Sequence, residues 1–269
     1  MKDKVDIVVQ GGIWPTTKHT VETYLQLPFV NNVIFSSWEE DLKKIDFEPS
    51  KIVCSSPPEK DGGGNLNYQI ISSRNGLKEC VTDVVIKMRS DQTIPIEEMV
   101  RMKEFYEKNT NGRDVFVLGL MGVDLPAPHT IDDLINNGVE FHLNSHPYHP
   151  QDHVFWGKIE DVKEIFDIPL SDWTTYKPNG VEDFSKNMRS PIYLGVYKYS
   201  RISETAKKHL ENPFEYLLDN APKRNEAFQE YSKIREECFK SFPPINLDWH
   251  KFNQGYPYEF YYQQGERYG

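Results

Sequence analysis

Long apolar runs are missing from this sequence, and so is any dense grouping of cysteine. The first absence excludes a spanning helix of about 20 apolar residues and an apolar secretory leader. It leads to the expectation of a soluble, cytoplasmic protein whose membrane contact is at most peripheral, at the inner face of the cell membrane. Cys54, Cys80 and Cys238 are three in number, far apart and form no CxxC pair. A disulfide framework or zinc ribbon is therefore not expected, and a reducing compartment fits better. Positive charge is also short, with 31 Lys and Arg against 41 Asp and Glu and a formal net charge of −10. No nucleic-acid partner is expected on that balance, because phosphate-backbone binding draws on clustered cations. A local basic pocket for a diphosphate stays compatible with it. Walker-type, HExxH and GxSxG signatures are absent, which leaves ATPase, zinc-protease and serine-hydrolase chemistry without sequence support.

What is present is an alternation of short apolar runs with amphipathic segments. With 269 residues the chain can bury a substantial core without staples. Asp6 to Gln10 is a short apolar run stopped by Gly11-Gly12, and reads as a buried strand before a tight turn. Further strands are predicted at 33–35, 51–54, 83–88 and 115–118. Helices are predicted at 16–27, 38–44, 65–80 and 95–109, the last led by Pro95. This order predicts an α/β fold with a mostly parallel sheet covered on both faces. Later, 131–137 is a short helix candidate, 142–151 a proline-broken loop, and 162–166 a helical segment. From about residue 190 the composition turns helical and charged, with 226–239 the clearest helix, and 256–268 is aromatic and irregular.

The segment Val85-Ile86-Lys87-Met88-Arg89-Ser90-Asp91 carries the most chemical information. Alternate residues of a strand share a face, so Lys87, Arg89 and Asp91 point the same way. An orphaned buried charge costs about 3–5 kcal/mol, so the cations need an anion. A phosphate-bearing ligand beside a metal held by Asp91 would supply it; so would an internal Lys–Asp or Arg–Asp ion pair with no ligand. Ligands of open α/β sheets bind at the carboxyl ends of strands, where Asp91 falls. Gln10-Gly11-Gly12 and Ser36-Ser37-Trp38 end two earlier strands at the same edge. The glycines would let backbone N–H groups approach a ligand, and Trp38 could stack on a base or fill a gap. Taken singly, each also reads as an ordinary turn.

His142, His146, His149 and His153 have metal-like helical spacing, but Pro147 and Pro150 forbid a regular helix there, so a mobile loop over the acceptor is the preferred reading. In Asp152-His153-Val154-Phe155-Trp156-Gly157, a carboxylate precedes an aromatic run. Asp152 would be placed to take a proton from an attacking hydroxyl, or would simply cap the following segment.

Five segments in order resemble the WavE-type lipopolysaccharide-synthesis glycosyltransferases. They are Asp6-Ile7-Val8-Val9-Gln10-Gly11; Ile34-Phe35-Ser36-Ser37-Trp38; Asn65-Leu66-Asn67-Tyr68-Gln69-Ile70 with Ser72, Ser73 and Gly76-Leu77; Ile86-Lys87-Met88-Arg89-Ser90-Asp91; and Asp152-His153-Val154-Phe155-Trp156-Gly157. The likeness spans about residues 5–160. It implies a Rossmann-like sheet of the glycosyltransferase-A type in a catalytic domain of residues 1–189. Its nucleotide-binding half would be about 1–92 and its acceptor half about 93–189, followed by a helical and aromatic extension at 190–269. It also implies a strand-end Asp-x-Asp motif holding Mn²⁺ or Mg²⁺ against the donor diphosphate. Here Arg89 stands at the first position and only Asp91 matches; His250 is the candidate C-terminal metal ligand.

On this resemblance the expected partners are a nucleotide-sugar donor and a glycan or glycolipid acceptor. Gln10, Gly11, Gly12 and Trp38 would frame the nucleotide, and Asn67 and Arg74 would reach its ribose or phosphates. Lys87, Arg89 and Asp91 would stabilise the departing phosphate, and Asp152 would be the base if configuration inverts. Two rivals stay open. One is a sugar nucleotidyltransferase, against which the segment after Gly11-Gly12 lacks a Gly-Thr-Arg cradle. The other is a non-catalytic carbohydrate-binding protein using the aromatic tail. A glycoside hydrolase needs only two placed carboxylates, and among 41 acidic residues no pair stands out.

Overall fold

The structure is a computed structural model, and describes residues 4–118, 120–121, 147–174, 190–211, 221–243, 245 and 247–249. Its strands are β1 (Val5–Gln10), β2 (Val30–Trp38), β3 (Lys51–Ser55), β4 (Val84–Arg89), β5 (Gln92–Thr93), β6 (Phe116–Val117), β7 (Leu120–Met121), β8 (His149–Pro150), β9 (Val154–Lys158), β10 (Lys240–Ser241) and β11 (Asp248–Trp249). Its helices are α1 (Thr17–Leu25), α2 (Glu39–Leu42), α3 (Leu66–Lys78), α4 (Ile96–Asn109), α5 (Ile159–Phe166), α6 (Ser190–Tyr199), α7 (Glu204–Glu211) and α8 (Ala221–Cys238).

Seven strands form the main sheet in the order β10-β6-β9-β4-β1-β2-β3. β1 pairs parallel with β2 and β4, β2 with β3, and β6 with β10, while β9 runs antiparallel between β4 and β6. The expected mostly parallel α/β sheet is thus present, with one strand reversed. Pleating divides the apolar residues between two cores. Val8, Ile34, Val85, Val117 and Phe155 face one core, with residues from α3, α5, α6, α7 and α8. Ile7, Val9, Val33, Phe35, Ile86, Met88, Phe116 and Trp156 face the other, against α1 and α4. Both faces are covered, which is why the central strands read as nearly continuous apolar runs.

Polar residues inside these runs have specific work. Asp6 is fully buried, and its carboxylate accepts from the side chains of Asn31 and Asn32 and from the backbone N–H groups of Val81 and Thr82. That hub ties the amino ends of β1 and β2 to the turn before β4. It also explains why β2 begins three residues earlier than predicted: Asn31 and Asn32 break the apolar pattern but stay in the strand. Helix α3 lies close on the sheet because its contacting residues are small. Ser36 donates its hydroxyl to the Ser72 carbonyl at 2.7 Å, and a Cβ placed on Gly76 would stand 2.5 Å from Val8 Cγ1 and 3.0 Å from Ser36 Cβ.

Residues on the two sides of position 190 pack together. Ile192, Tyr199, Tyr231 and Phe239 share a core with Phe155 and Phe166. β10 extends the main sheet, and β11 pairs antiparallel with β5. The helix candidate at 131–137 and the aromatic stretch 256–268 lie outside the described residues.

Gly76→Ala is expected to lower stability by about 1–3 kcal/mol, since an overpacked interface must move backbone or stiff side chains apart. Urea unfolding reads this directly; an unchanged midpoint would show that α3 can lift from the sheet at no cost.

Candidate functional site

β1, β2 and β4 end side by side, because Gln10 is in register with Ser36 on one side and Arg89 on the other. β9 runs the opposite way, so its leading residues Asp152 and His153 arrive at the same edge, with Val154 opposite Met88. The carboxyl edge of the parallel strands and the amino end of β9 therefore form one rim. Gly11 makes the turn there with φ of +127°, and its N–H donates to the Ser36 carbonyl. A Cβ on Gly11 would meet Ser90 Oγ at 2.5 Å, and that hydroxyl donates to the Gly12 carbonyl at 2.6 Å. Glycine is needed at position 11 both for its dihedral angle and for this approach.

Arg89 is the centre of the arrangement. Its Nε donates to Asp91 Oδ1 at 2.9 Å and its Nη2 to Asp91 Oδ2 at 2.7 Å, a two-pronged contact. Its Nη1 lies 3.4 and 3.3 Å from the two Asp152 carboxylate oxygens. Gln69, from the buried face of α3, donates to Asp152 Oδ2 at 2.8 Å. The Asp91 and Asp152 side chains are only 6% and 7% exposed, whereas that of Arg89, partly covered, keeps 24%. Burial alone would lower the Arg89 pKa, but the two carboxylates more than reverse this and hold it charged. Burial would likewise raise that of Asp152; Arg89, then His153, Lys87 and the Gln69 N–H together keep it well below the carboxylate range.

Lys87 lies deeper on the same face. It is fully buried, donates to the Asp152 carbonyl at 3.3 Å, and sits 5.4 Å from the Phe155 ring centroid and 5.1 Å from that of Phe166. Burial pushes its ammonium down to about 7, only partly offset by Asp152. His153 and Gln92 bind each other: Gln92 Nε2 donates to the His153 carbonyl at 2.8 Å, and Oε1 lies 2.9 Å from Nδ1. A carbonyl can only accept, so the amide orientation is set and Nδ1 must carry the proton. Burial keeps this imidazole neutral, with a pKa of about 4.

The remaining expected residues fall in three groups. Gln10 belongs to the rim: its Oε1 is buried with no hydrogen-bond partner among the described residues, and Gln10 shares a face with its register partner Arg89. Trp38 is half-buried, edge-on to Tyr68 at 4.9 Å between centroids. Asn67 and Arg74 are engaged elsewhere. The Asn67 amide joins two loops through Lys60 O, Ser171 O and the Ser171 N–H. Arg74 donates to the carbonyls of Phe166 and Ile168, closing the end of α5. Asp152 is not a helix cap, since α5 starts seven residues later behind Lys158. His149 is buried in the β7–β8 pair, and His142 and His146 lie outside the described residues.

Sequence reasoning missed Gln69, Asp41 and the Gln92–His153 pair. Gln69 had a signal: it interrupts the buried stripe of Leu66, Ile70 and Leu77, and a buried amide demands a partner. Asp41 had none, because it reaches the rim only through the short helix α2 after β2; its Oδ2 would stand 3.2 Å from a Cβ on Gly12.

A divalent metal at Asp91 does not fit this donor set. Both Asp91 oxygens accept from Arg89, and a bound cation would face that guanidinium at close range. Among the described residues no group of three or more His, Cys, Asp or Glu is placed to hold a metal ion. β11 does bring the chain alongside Gln92, next to Asp91, but His250 lies outside the described residues. No helix among the described residues is long and apolar enough to cross a membrane.

A family profile described as WavE lipopolysaccharide synthesis matches residues 10–229. No curated protein matches the chain. Similar solved structures include a 4-diphosphocytidyl-2C-methyl-D-erythritol synthase from Anaerococcus prevotii, with 12% identity over 63% of this chain and 79% of that one and a TM-score of 0.38. HddC from Yersinia pseudotuberculosis is similar at 11% identity over 64% of this chain and 82% of its own, with a TM-score of 0.35. Likeness of this size speaks to neither substrate nor reaction.

The buried Lys87 gives stability a pH dependence whose sign is set by its lowered pKa. Between about 7 and the unfolded lysine value of about 10.4, the unfolded chain binds the extra proton, so this group makes stability rise with pH; below 7 its full penalty is present. Lys87→Met is expected to remove that rise, so the gap in thermal midpoint between variant and wild type narrows from pH 7 to pH 10. A gap constant across the range would show that Lys87 titrates normally.

Proposed function

The chain belongs to the WavE lipopolysaccharide-synthesis family, and from that premise we propose that it is a glycosyltransferase. It moves a sugar from a nucleotide-sugar donor to a surface-glycan acceptor of lipopolysaccharide or capsule type. The observation that carries this reading is Arg89: a guanidinium at the end of a central strand, gripped by two buried carboxylates, with a quarter of its side chain open to a ligand. In this reading the donor phosphates lie against Arg89. Gln10, whose orphaned Oε1 asks for a hydrogen-bond donor, lines the nucleotide with Gly11, Gly12 and Trp38. Asp41, an acceptor beside Gly12, suits ribose hydroxyls and would repel a phosphate, so it orients the nucleoside away from Arg89.

The chemistry follows from that placement. An acceptor hydroxyl attacks the anomeric carbon, the bond from that carbon to the phosphate oxygen breaks, and the electron pair leaves on the nucleotide. Arg89, with Lys87 behind it, stabilises the departing charge. Asp152 takes the hydroxyl proton if configuration inverts. Its proton affinity is too low for this role while Arg89 holds it. A donor phosphate that draws Arg89 towards itself leaves Asp152 with Gln69 as its main donor, and its basicity rises at the moment it is needed. The protein would work in the cytoplasm, meeting its acceptor by peripheral contact at the inner membrane face.

Thermal-shift measurements against UDP-, GDP-, CMP- and dTDP-sugars are expected to give a selective rise for one donor, because a ligand held by the native state raises its apparent stability. With that donor, Arg89→Ala is expected to lower the transfer rate by about 10²–10³-fold, the usual scale for losing one charge-stabilising group. Undiminished transfer in a folded Arg89→Ala protein would overturn the assignment. Pyrophosphate release from a nucleoside triphosphate and a sugar phosphate would point to nucleotidyl transfer instead, and saccharide binding without nucleotide affinity to a binding protein.

A further inference from the structure

We infer that the donor site carries its cation in the chain: Arg89 stands where a divalent metal would stand, so donor binding does not depend on a metal ion. The inference rests on the donor reading above and concerns how the same site neutralises phosphate charge.

The argument starts from the carboxylates. Mg²⁺ and Mn²⁺ need oxygen ligands with open lone pairs at close to octahedral geometry, and usually take one or two carboxylates together with substrate phosphates. The two carboxylates beside Arg89 at the rim are Asp91 and Asp152. Both Asp91 oxygens accept from Arg89 at 2.9 and 2.7 Å. Asp152 Oδ2 accepts from Gln69 at 2.8 Å, and both its oxygens face Arg89 Nη1 at 3.3–3.4 Å. A metal would have to displace the guanidinium from Asp91, and would then share the rim with that displaced charge and with Lys87 beneath it.

Charge points the same way. With Lys87 protonated, the formal charges of Lys87, Arg89, Asp91 and Asp152 cancel; with Lys87 neutral, one negative charge is left over. A divalent ion would leave the group with a net charge of +2 or +1, in a place where three of the four side chains are buried. Without a metal the group lies within one charge of balance. The substitution at position 89 has two effects at once: it removes one anionic ligand and supplies a fixed cation. A guanidinium also matches phosphate oxygens in shape as well as in charge, through parallel N–H donors. Asp91 and Asp152 are then counter-ions that orient Arg89, and not metal ligands.

The test uses the full chain. Binding of UDP, GDP, CMP and dTDP is measured by calorimetry in EDTA and again in Mn²⁺, and Mn²⁺ alone is followed by the loss of its free-ion electron paramagnetic resonance signal. For the nucleotide that binds, the dissociation constant is expected to change by less than about threefold between the two conditions, and no protein-bound Mn²⁺ is expected at about millimolar ion, since a metal bridge is ordinarily worth far more than that. Arg89→Asp, which restores two carboxylates at the motif spacing, is expected to bind Mn²⁺ and to hold nucleotide only in its presence. If that variant does not fold, the wild-type comparison decides alone. A tenfold or greater tightening by Mn²⁺ in the wild type, about 1.4 kcal/mol, overturns this inference and leaves the donor reading standing. Failure of every nucleotide to bind in either condition overturns both.

Discussion

A charge placed on the central strand of a sheet covered on both faces must find its counter-charge within a few ångströms, because an unpaired buried ion costs about 3–5 kcal/mol. β4 carries two cations on one face, Lys87 and Arg89, and the surrounding architecture answers both. Asp91 turns back on Arg89 from two residues away, Asp152 arrives from β9, and Gln69 comes down from α3 to complete the Asp152 shell. The local fold can be read as the set of elements that brings these acceptors and donors to one point.

That constraint connects the packing to the site. α3 must sit close to the sheet for Gln69 to reach Asp152, and the small residues Ser72, Ser73 and Gly76 allow it. β9 must run antiparallel for its leading residue to meet the carboxyl edge of β4; a parallel strand there would have placed Asp152 at the opposite end of the sheet. The Gln92–His153 pair then fixes the segment on each side of the two carboxylates, and β11 covers β5 at the same edge. Residues distant in sequence serve one rim.

Solvent exposure distinguishes roles within the charged group. Asp91 and Asp152 are buried and Arg89 is partly exposed, so in the proposed reading a ligand meets the cation first. The strand-end Asp-x-Asp motif that the family resemblance implies has the reverse order, with a carboxylate presented and a metal upon it. One residue in the motif, arginine where aspartate is expected, changes which charge faces outward. The depth of Lys87 adds a second positive group that titrates near neutrality, so the field at the rim can vary in a range where most lysines do not respond.

Much of the framework was legible in the sequence. The apolar runs ending in Gly11, in Ser37-Trp38 and in Arg89-Ser90-Asp91 marked the strands and their shared edge, since strand alternation is a local property of the chain. The shared face of Lys87 and Arg89 followed from the same period of two. The reversed strand β9, the engagement of Asn67 and Arg74 by loop and helix-end carbonyls, and the capture of Arg89 by Asp152 were not legible, because each is a pairing across tens of residues: 63 separate Arg89 from Asp152, and 83 separate Gln69 from it. The sequence by itself determined that buried cations would need anions at the end of a central strand. Only the tertiary structure decided which anions answer, because hydrogen-bond partners are chosen by distance in space, and that distance is set by how the sheet and its helices pack.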